Sequence, residues 1–173
     1  MIGKKMQDAL NRQINAELYS GYLYQSMSAY YQSINLPGFA NWFWVQMQEE
    51  TAHSQIIYNH LVDRGGRVHL LPIEEPPFEW PDARQPLEDS YQHEQKVTAM
   101  IGNLVNLAIE ERDHAANSML QWFVNEQVEE EKNVSGLVEQ LKYAEGAPAG
   151  ILMLDRELGA RVFTPPAILT AGG

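Results

Sequence analysis

The sequence contains no cysteine. That absence excludes disulfides, thiolate zinc sites, cysteine-ligated iron–sulfur clusters and a cysteine nucleophile. It leaves the redox compartment open, because a cysteine-free chain is at home in any of them. Positive charge is scarce as well: 12 Lys and Arg stand against 23 Asp and Glu, a formal net charge of −11 with histidine neutral. Nucleic acids and anionic membranes bind clustered Lys and Arg, so neither is expected as a partner, and cations are favoured instead. No stretch approaches the roughly 18 consecutive apolar residues of a membrane span. The opening Met1-Ile-Gly-Lys-Lys-Met-Gln-Asp has two lysines with no apolar segment behind them, so no secretory signal is read and the expected location is the cytoplasm. There is no strand-like alternation of any length, no internal repeat, no Gly-rich phosphate loop and no Ser/His/Asp arrangement supported by spacing.

What remains is an all-α pattern in one domain spanning residues 1–173, with 45% hydrophobic residues, enough for a real core. Helical periodicity runs over 4–34, 37–65, 86–112 and 114–145, with a short fifth helix at 151–161 and a tail at 162–173. Pro37 suits the first turn of the second helix, where its missing N–H costs nothing. Gly65-Gly66 is a C-terminal stop signal. Five of the nine prolines fall between residues 72 and 86, so the link between the second and third helices is extended. A second helix of about 28 residues is ~42 Å long, and twenty extended residues reach ~60 Å. The link can therefore return along the whole bundle and let the third helix run parallel to the second. The expected fold is a four-helix bundle with one long crossover and a short fifth helix.

Each apolar stripe is broken near its middle by a polar group. The first helix reads Met6, Leu10, Ile14, Glu17, Gly21, Tyr24, and the second Phe39, Phe43, Met47, Glu50, then His53, Ile57 and Leu61. The third reads Leu87, Tyr91, Glu94, Val97, Ile101, and the fourth Met119, Phe123, Gln127, Glu130, Val134. One inward acid is compatible with a stripe that drifts to the rim. Four helices doing so together bring carboxylates into a low-dielectric interior, where they repel and lose hydration unless they are protonated or held by cations. Two divalent ions balance four carboxylates, and Glu50 and His53, one turn apart, reach the same ion. Oxygen-rich ligation with one imidazole suits iron or manganese and admits zinc. Beside this set, Glu49, Glu126 and Glu129 form either a solvated acidic face or a third cation site joined through Glu130. Glu131 is read as surface, and His93 as a surface or interface residue. Tyr24, two turns after Glu17, is either a packed aromatic or a redox-active or hydrogen-bonding neighbour of the metals.

These residues resemble those of non-haem ferritins of the bacterial and archaeal kind, from Leu10-Asn-Arg-Gln-Ile-Asn-Ala-Glu-Leu-Tyr-Ser through Phe163-Thr-Pro-Pro. The most specific stretches are Gln48-Glu-Glu-Thr-Ala-His53, His93-Glu94 and Gln121-Trp-Phe-Val-Asn-Glu-Gln-Val-Glu-Glu-Glu131. The resemblance implies a ferritin-like bundle and a dinuclear iron centre. One iron is held by Glu17, Glu50 and His53, the other by Glu50 as bridge with Glu94 and Glu130, Gln127 lying close. It also implies a third iron site at Glu49, Glu126 and Glu129 with Glu130 shared, and Tyr24 beside the pair. The activity implied is oxidation of Fe(II) by dioxygen or peroxide, a ferroxidase reaction, with ferric oxide stored in a homo-oligomeric shell, usually of 24 subunits. A di-iron oxidase or peroxidase without mineral storage is the alternative. Gln127-x-x-Glu130 departs from the Glu-x-x-His that a bacterioferritin-like chain carries, and Thr51 stands where the haem-binding relatives have methionine. No haem is expected.

Overall fold

The computed structural model describes residues 1–144 and 146–170. Glu145, expected in the fourth helix, and residues 171–173 of the tail lie outside the described residues. The elements are helices throughout: α1 (Lys4–Ser33), α2 (Pro37–Asp63), α3 (Gln85–Glu110), α4 (His114–Tyr143), α5 (Pro148–Leu158) and α6 (Ala167–Thr170). No helix among the described residues is long and apolar enough to cross a membrane. α5 begins three residues ahead of the expected start because Pro148 opens it at a position where no N–H is needed, rather than breaking the chain. The α6 turn was not expected. Its Leu169 packs against the apolar cluster at the α1 N-terminal end of the bundle.

The crossover is laced to α1 by polar side chains in ascending order. Gln7 Oε1 accepts from the Arg67 N–H at 3.0 Å, Asn11 bonds Arg67 and His69, and Asn15 Nδ2 donates to the Pro72 carbonyl at 3.2 Å. Further along, the Ser26 hydroxyl donates to Pro77 O at 2.6 Å and the Tyr31 hydroxyl to Ala83 O at 2.6 Å. A proline-rich segment has few donors of its own, so side chains from the helix satisfy its carbonyls. The segment thus climbs α1 and delivers α3 antiparallel to α1 and parallel to α2. α2 ends as a 6→1 closure: Gly66 N–H donates to Leu61 O at 2.9 Å, made possible by Gly65 at φ 71.

α5 braces the start of α2. Asp155 is buried and its Oδ1 accepts from the Gly38 and Phe39 N–H groups at 2.7 and 3.0 Å, satisfying two donors that the first turn of α2 leaves open. A Cβ at Gly38 would lie 1.5 Å from the Asp155 carbonyl oxygen, so only glycine allows this approach. Asp155→Ala is expected to cost about 1–2 kcal/mol and lower the thermal midpoint by about 2–8 °C. Calorimetry on the assembled protein reads it directly, and an unchanged midpoint would show that the brace contributes nothing.

The apolar core is split in two. One half gathers Tyr24, Tyr31, Phe39, Phe43, Leu87 and Leu141, the other Met6, Leu10, Ile57, Leu61, Ile101 and Phe123. Between them, on all four long helices, lies a band of buried polar side chains.

Candidate metal centre

The band contains Glu17, Glu50, His53, Glu94, Gln127 and Glu130, each no more than 5% exposed. It is positioned by the apolar turns on either side: Ile14 and Tyr24 bracket Glu17, Phe43 and Ile57 bracket Glu50 and His53, Leu87 and Val97 bracket Glu94, and Phe123 and Val134 bracket Gln127 and Glu130. The helices cannot rotate these acids to solvent without exposing aromatic and aliphatic surface, at roughly 1.5–3 kcal/mol per large side chain.

Glu17, Glu50 and His53 present ligand atoms all within 4.8 Å of one another. Glu50 Oε2 lies 3.4 Å from His53 Nδ1. Glu17 Oε1 accepts from Gln13 Nε2 at 2.9 Å, while Glu17 Oε2 and Glu50 Oε2 are fully buried with no hydrogen-bond partner. Orphaned carboxylate oxygens in a dry interior are destabilising unless a proton or a cation meets them. Their donor set, oxygen with one imidazole, fits a hard or borderline divalent ion. Across the band, Glu94 Oε1 accepts from the Tyr24 hydroxyl and Glu94 Oε2 from Gln127 Nε2 at 3.1 Å, and Glu130 Oε2 accepts from Gln46 Nε2 at 2.8 Å.

Burial dominates the electrostatics. It lifts Glu50 well above the carboxylate range, reinforced by the charges of Glu94, Glu17 and Glu130. Burial lifts Glu94 to about 7 against the opposing hydrogen bonds from Tyr24 and Gln127. Glu130 is lifted to about 8 by burial and by the charges of Glu94 and Glu49, with the Gln46 bond pulling the other way. Tyr24 is raised well above its usual value by burial, then by Glu94 and Glu50, so it is a neutral donor.

His53, Glu126 and Glu130 bring ligand atoms within 4.8 Å of one another, so His53 belongs to both groups. Glu129 is exposed and lies outside that group, though close enough for its charge to raise Glu126. Glu49 is half-buried and paired with Arg161, Nη2 to Oε2 2.7 Å. Burial raises Glu49 in spite of Arg161, and burial raises Glu126 against the pull of His53.

His93, expected at a surface or interface, is partly covered within the chain. It is half-buried, its Nε2 is 2.7 Å from Ser20 Oγ, and it packs edge-on to Tyr24 with ring centroids 5.9 Å apart. Burial, then the nearby Lys96 charge, hold its pKa at about 4, so the ring is neutral. Glu131 is likewise drawn in, accepting from the Thr98 hydroxyl at 2.6 Å, and Thr98 Oγ1 in turn accepts from Gln127 Nε2 at 3.3 Å. Gln13 and Gln46 were missed by periodicity although each lies one helical turn before an inward acid. Arg161 carried no signal at all.

Residues 7–144 match the family model described as Ferritin-like domain. The chain belongs to this ferritin-like family. Among curated relatives, the ferritin-like chain is 38% identical over 161 residues to a bacterial non-heme ferritin of Bacteroides fragilis (strain 638R), covering 93% of this chain and 100% of the relative. It is 35% identical over 163 residues to a bacterial non-heme ferritin of Staphylococcus aureus (strain USA300), covering 94% and 98%. Among solved structures, an open-pore ferritin from the archaeon Archaeoglobus fulgidus superposes with a TM-score of 0.93 at 48% identity, covering 94% of this chain and all of that one. A closed form of the same archaeal ferritin, made by site-directed mutagenesis, gives 0.94 at 49% identity, covering 95% and 100%.

Proposed function

We propose that this chain stores iron and oxidises it on the way in. Fe(II) is the substrate: Glu17, Glu50 and His53 hold one ion, and Glu50, Glu94 and Glu130 the other, with Gln127 fixing Glu94. Glu49, Glu126 and Glu129, with Glu130 shared, serve a third position, to which the proximity of His53 adds an imidazole. Each Fe(II) gives up one electron to dioxygen or peroxide, and two ions held side by side supply two electrons without diffusion between them. The ferric product is deposited inside a shell of 24 copies, and no haem takes part.

The observation that carries this reading is the pair of orphaned oxygens, Glu17 Oε2 and Glu50 Oε2, in a band to which all four long helices contribute acid or amide. The chain's own residues do the rest. Tyr24 and Gln127 hold Glu94 in place by hydrogen bonds, Gln13 does the same for Glu17, and the two apolar half-cores keep bulk water out. The net charge of −11 draws cations toward the particle.

The test is aerobic Fe(II) loading of metal-free protein, with iron measured on the eluted size-exclusion peak. Retention of many more irons per chain than the dinuclear and outer positions can hold, on a very large particle, is expected. Retention of no more than those positions hold would sink storage and put an oxidase or peroxidase in its place.

A further inference from the structure

Arg161 stands three residues beyond α5, and its backbone carbonyl accepts from Asn41 Nδ2 at 2.9 Å. Its guanidinium reaches one face of α2 at three successive turns. It lies 5.0 Å over the Trp42 ring, donates from Nη1 to Gln46 Oε1 at 2.5 Å, and pairs through Nη2 with Glu49 Oε2 at 2.7 Å. Gln46 is fully buried, and its other end donates to Glu130 Oε2 at 2.8 Å. A glutamine amide has one accepting end and one donating end. With Oε1 taken by Arg161, Nε2 must face Glu130. If the amide turned over, its oxygen would face a carboxylate.

We propose that Arg161 is a built-in counter-cation of the outer acidic cluster: its guanidinium competes with a third metal cation for Glu49 and, through Gln46, positions Glu130, the acid common to both groups. Guanidinium stays charged at any working pH, so Arg161 does not release Glu49 by losing a proton of its own. The pair is shielded, with side chains 24% and 22% exposed, and so is worth more than a fully solvated one. While the guanidinium holds Glu49 Oε2, that oxygen and its charge are withheld from a third cation. Iron at the inner pair does not compete with the guanidinium directly, because Arg161 has no contact with Glu17, Glu50, His53 or Glu94 and reaches Glu130 only through the Gln46 amide. The inference rests on the third-site part of the proposed function.

Zn(II) titration of the metal-stripped, assembled protein by calorimetry tests it without turnover. Arg161→Gln removes the charge and keeps a donor for Gln46, and it is expected to tighten the third equivalent by roughly tenfold while leaving the first two unchanged. Arg161→Lys keeps the charge and is expected to stay near the wild-type affinity. Asn41→Ala loosens the backbone anchor without touching the guanidinium, and it should not reproduce the Arg161→Gln result. Overturning results are an unchanged third equivalent in Arg161→Gln, equal tightening in Arg161→Gln and Arg161→Lys, or no third equivalent in any variant. Absence of the first two equivalents from the wild type would instead sink the dinuclear reading. The comparison of Arg161 variants at the remaining equivalent would still decide this one.

Discussion

Glu50→Gln is expected to slow the initial phase of aerobic Fe(II) oxidation by at least roughly a hundredfold, since losing even a group that only supports a metal ligand costs 10–100-fold. In the same protein stripped of metal, the substitution is expected to raise thermal stability at pH 8. The two effects have one cause. Glu50 is buried among Glu17, Glu94 and Glu130, with an oxygen that nothing in the protein satisfies. Without cations, its ionised form is a cost to the fold; with cations, it is the proposed bridge. Glutamine keeps the volume and drops the charge, so cavity formation does not confuse the reading. A variant that is merely misfolded loses activity and stability together. Stopped-flow oxidation and scanning calorimetry on one preparation separate the cases. Fast oxidation surviving in Glu50→Gln, or a lower metal-free midpoint at pH 8, would overturn Glu50 as the bridge.

Local periodicity reveals the bundle because each long helix has an apolar face that must be covered, and the proline-rich crossover reveals the connectivity through reach alone. The inward polar groups are legible for the same reason. A carboxylate in the place of a leucine, on four helices at matching height, is visible without any knowledge of the partner helix. What that pattern cannot show is which polar neighbours support those acids. Gln46 lies one turn before Glu50, but Met47 fits the apolar stripe better and masks it. Arg161 lies on a tail more than a hundred residues from Gln46 and Glu49, and its role comes entirely from how α5 docks on the start of α2. The outer cluster shows the limit most clearly. Helical spacing groups Glu49, Glu126 and Glu129, but it cannot show that His53 comes beside Glu126 and Glu130 or that Glu49 is paired with Arg161. Spacing puts His93 about 100° round the helix from Glu94, at a surface or interface, and cannot show what covers it. Ser20 and Tyr24 on α1 reach far enough round to cover it.

Metal-free protein is expected to lose stability steadily as pH rises from 5 to 8.5, and divalent cations are expected to abolish most of that slope. The sign follows from the protons. Glu94 and Glu130 in the folded chain release theirs near 7 and 8, and Glu50 is also displaced upward, whereas unfolded glutamates release theirs near 4.5. Between those limits the folded state binds more protons than the unfolded one, so the stability of unfolding falls with each increment of pH. The contribution is fully present below the unfolded value and is gone once pH passes the folded values. A bound cation takes the protons' place. Binding at pH 6.5 should therefore release protons, measurable as a buffer-dependent calorimetric heat, and that release should shrink toward pH 8.5. A cation at a hundred times its Kd adds about 2.7 kcal/mol, or about 5–11 °C at this chain size. The increment should grow with pH as proton competition fades. If the metal-free midpoint is flat or rises between pH 6 and 8.5, the inward carboxylates do not carry the shared protons on which the metal centre's readiness depends. The cluster would then be held by something other than the exchange of protons for iron.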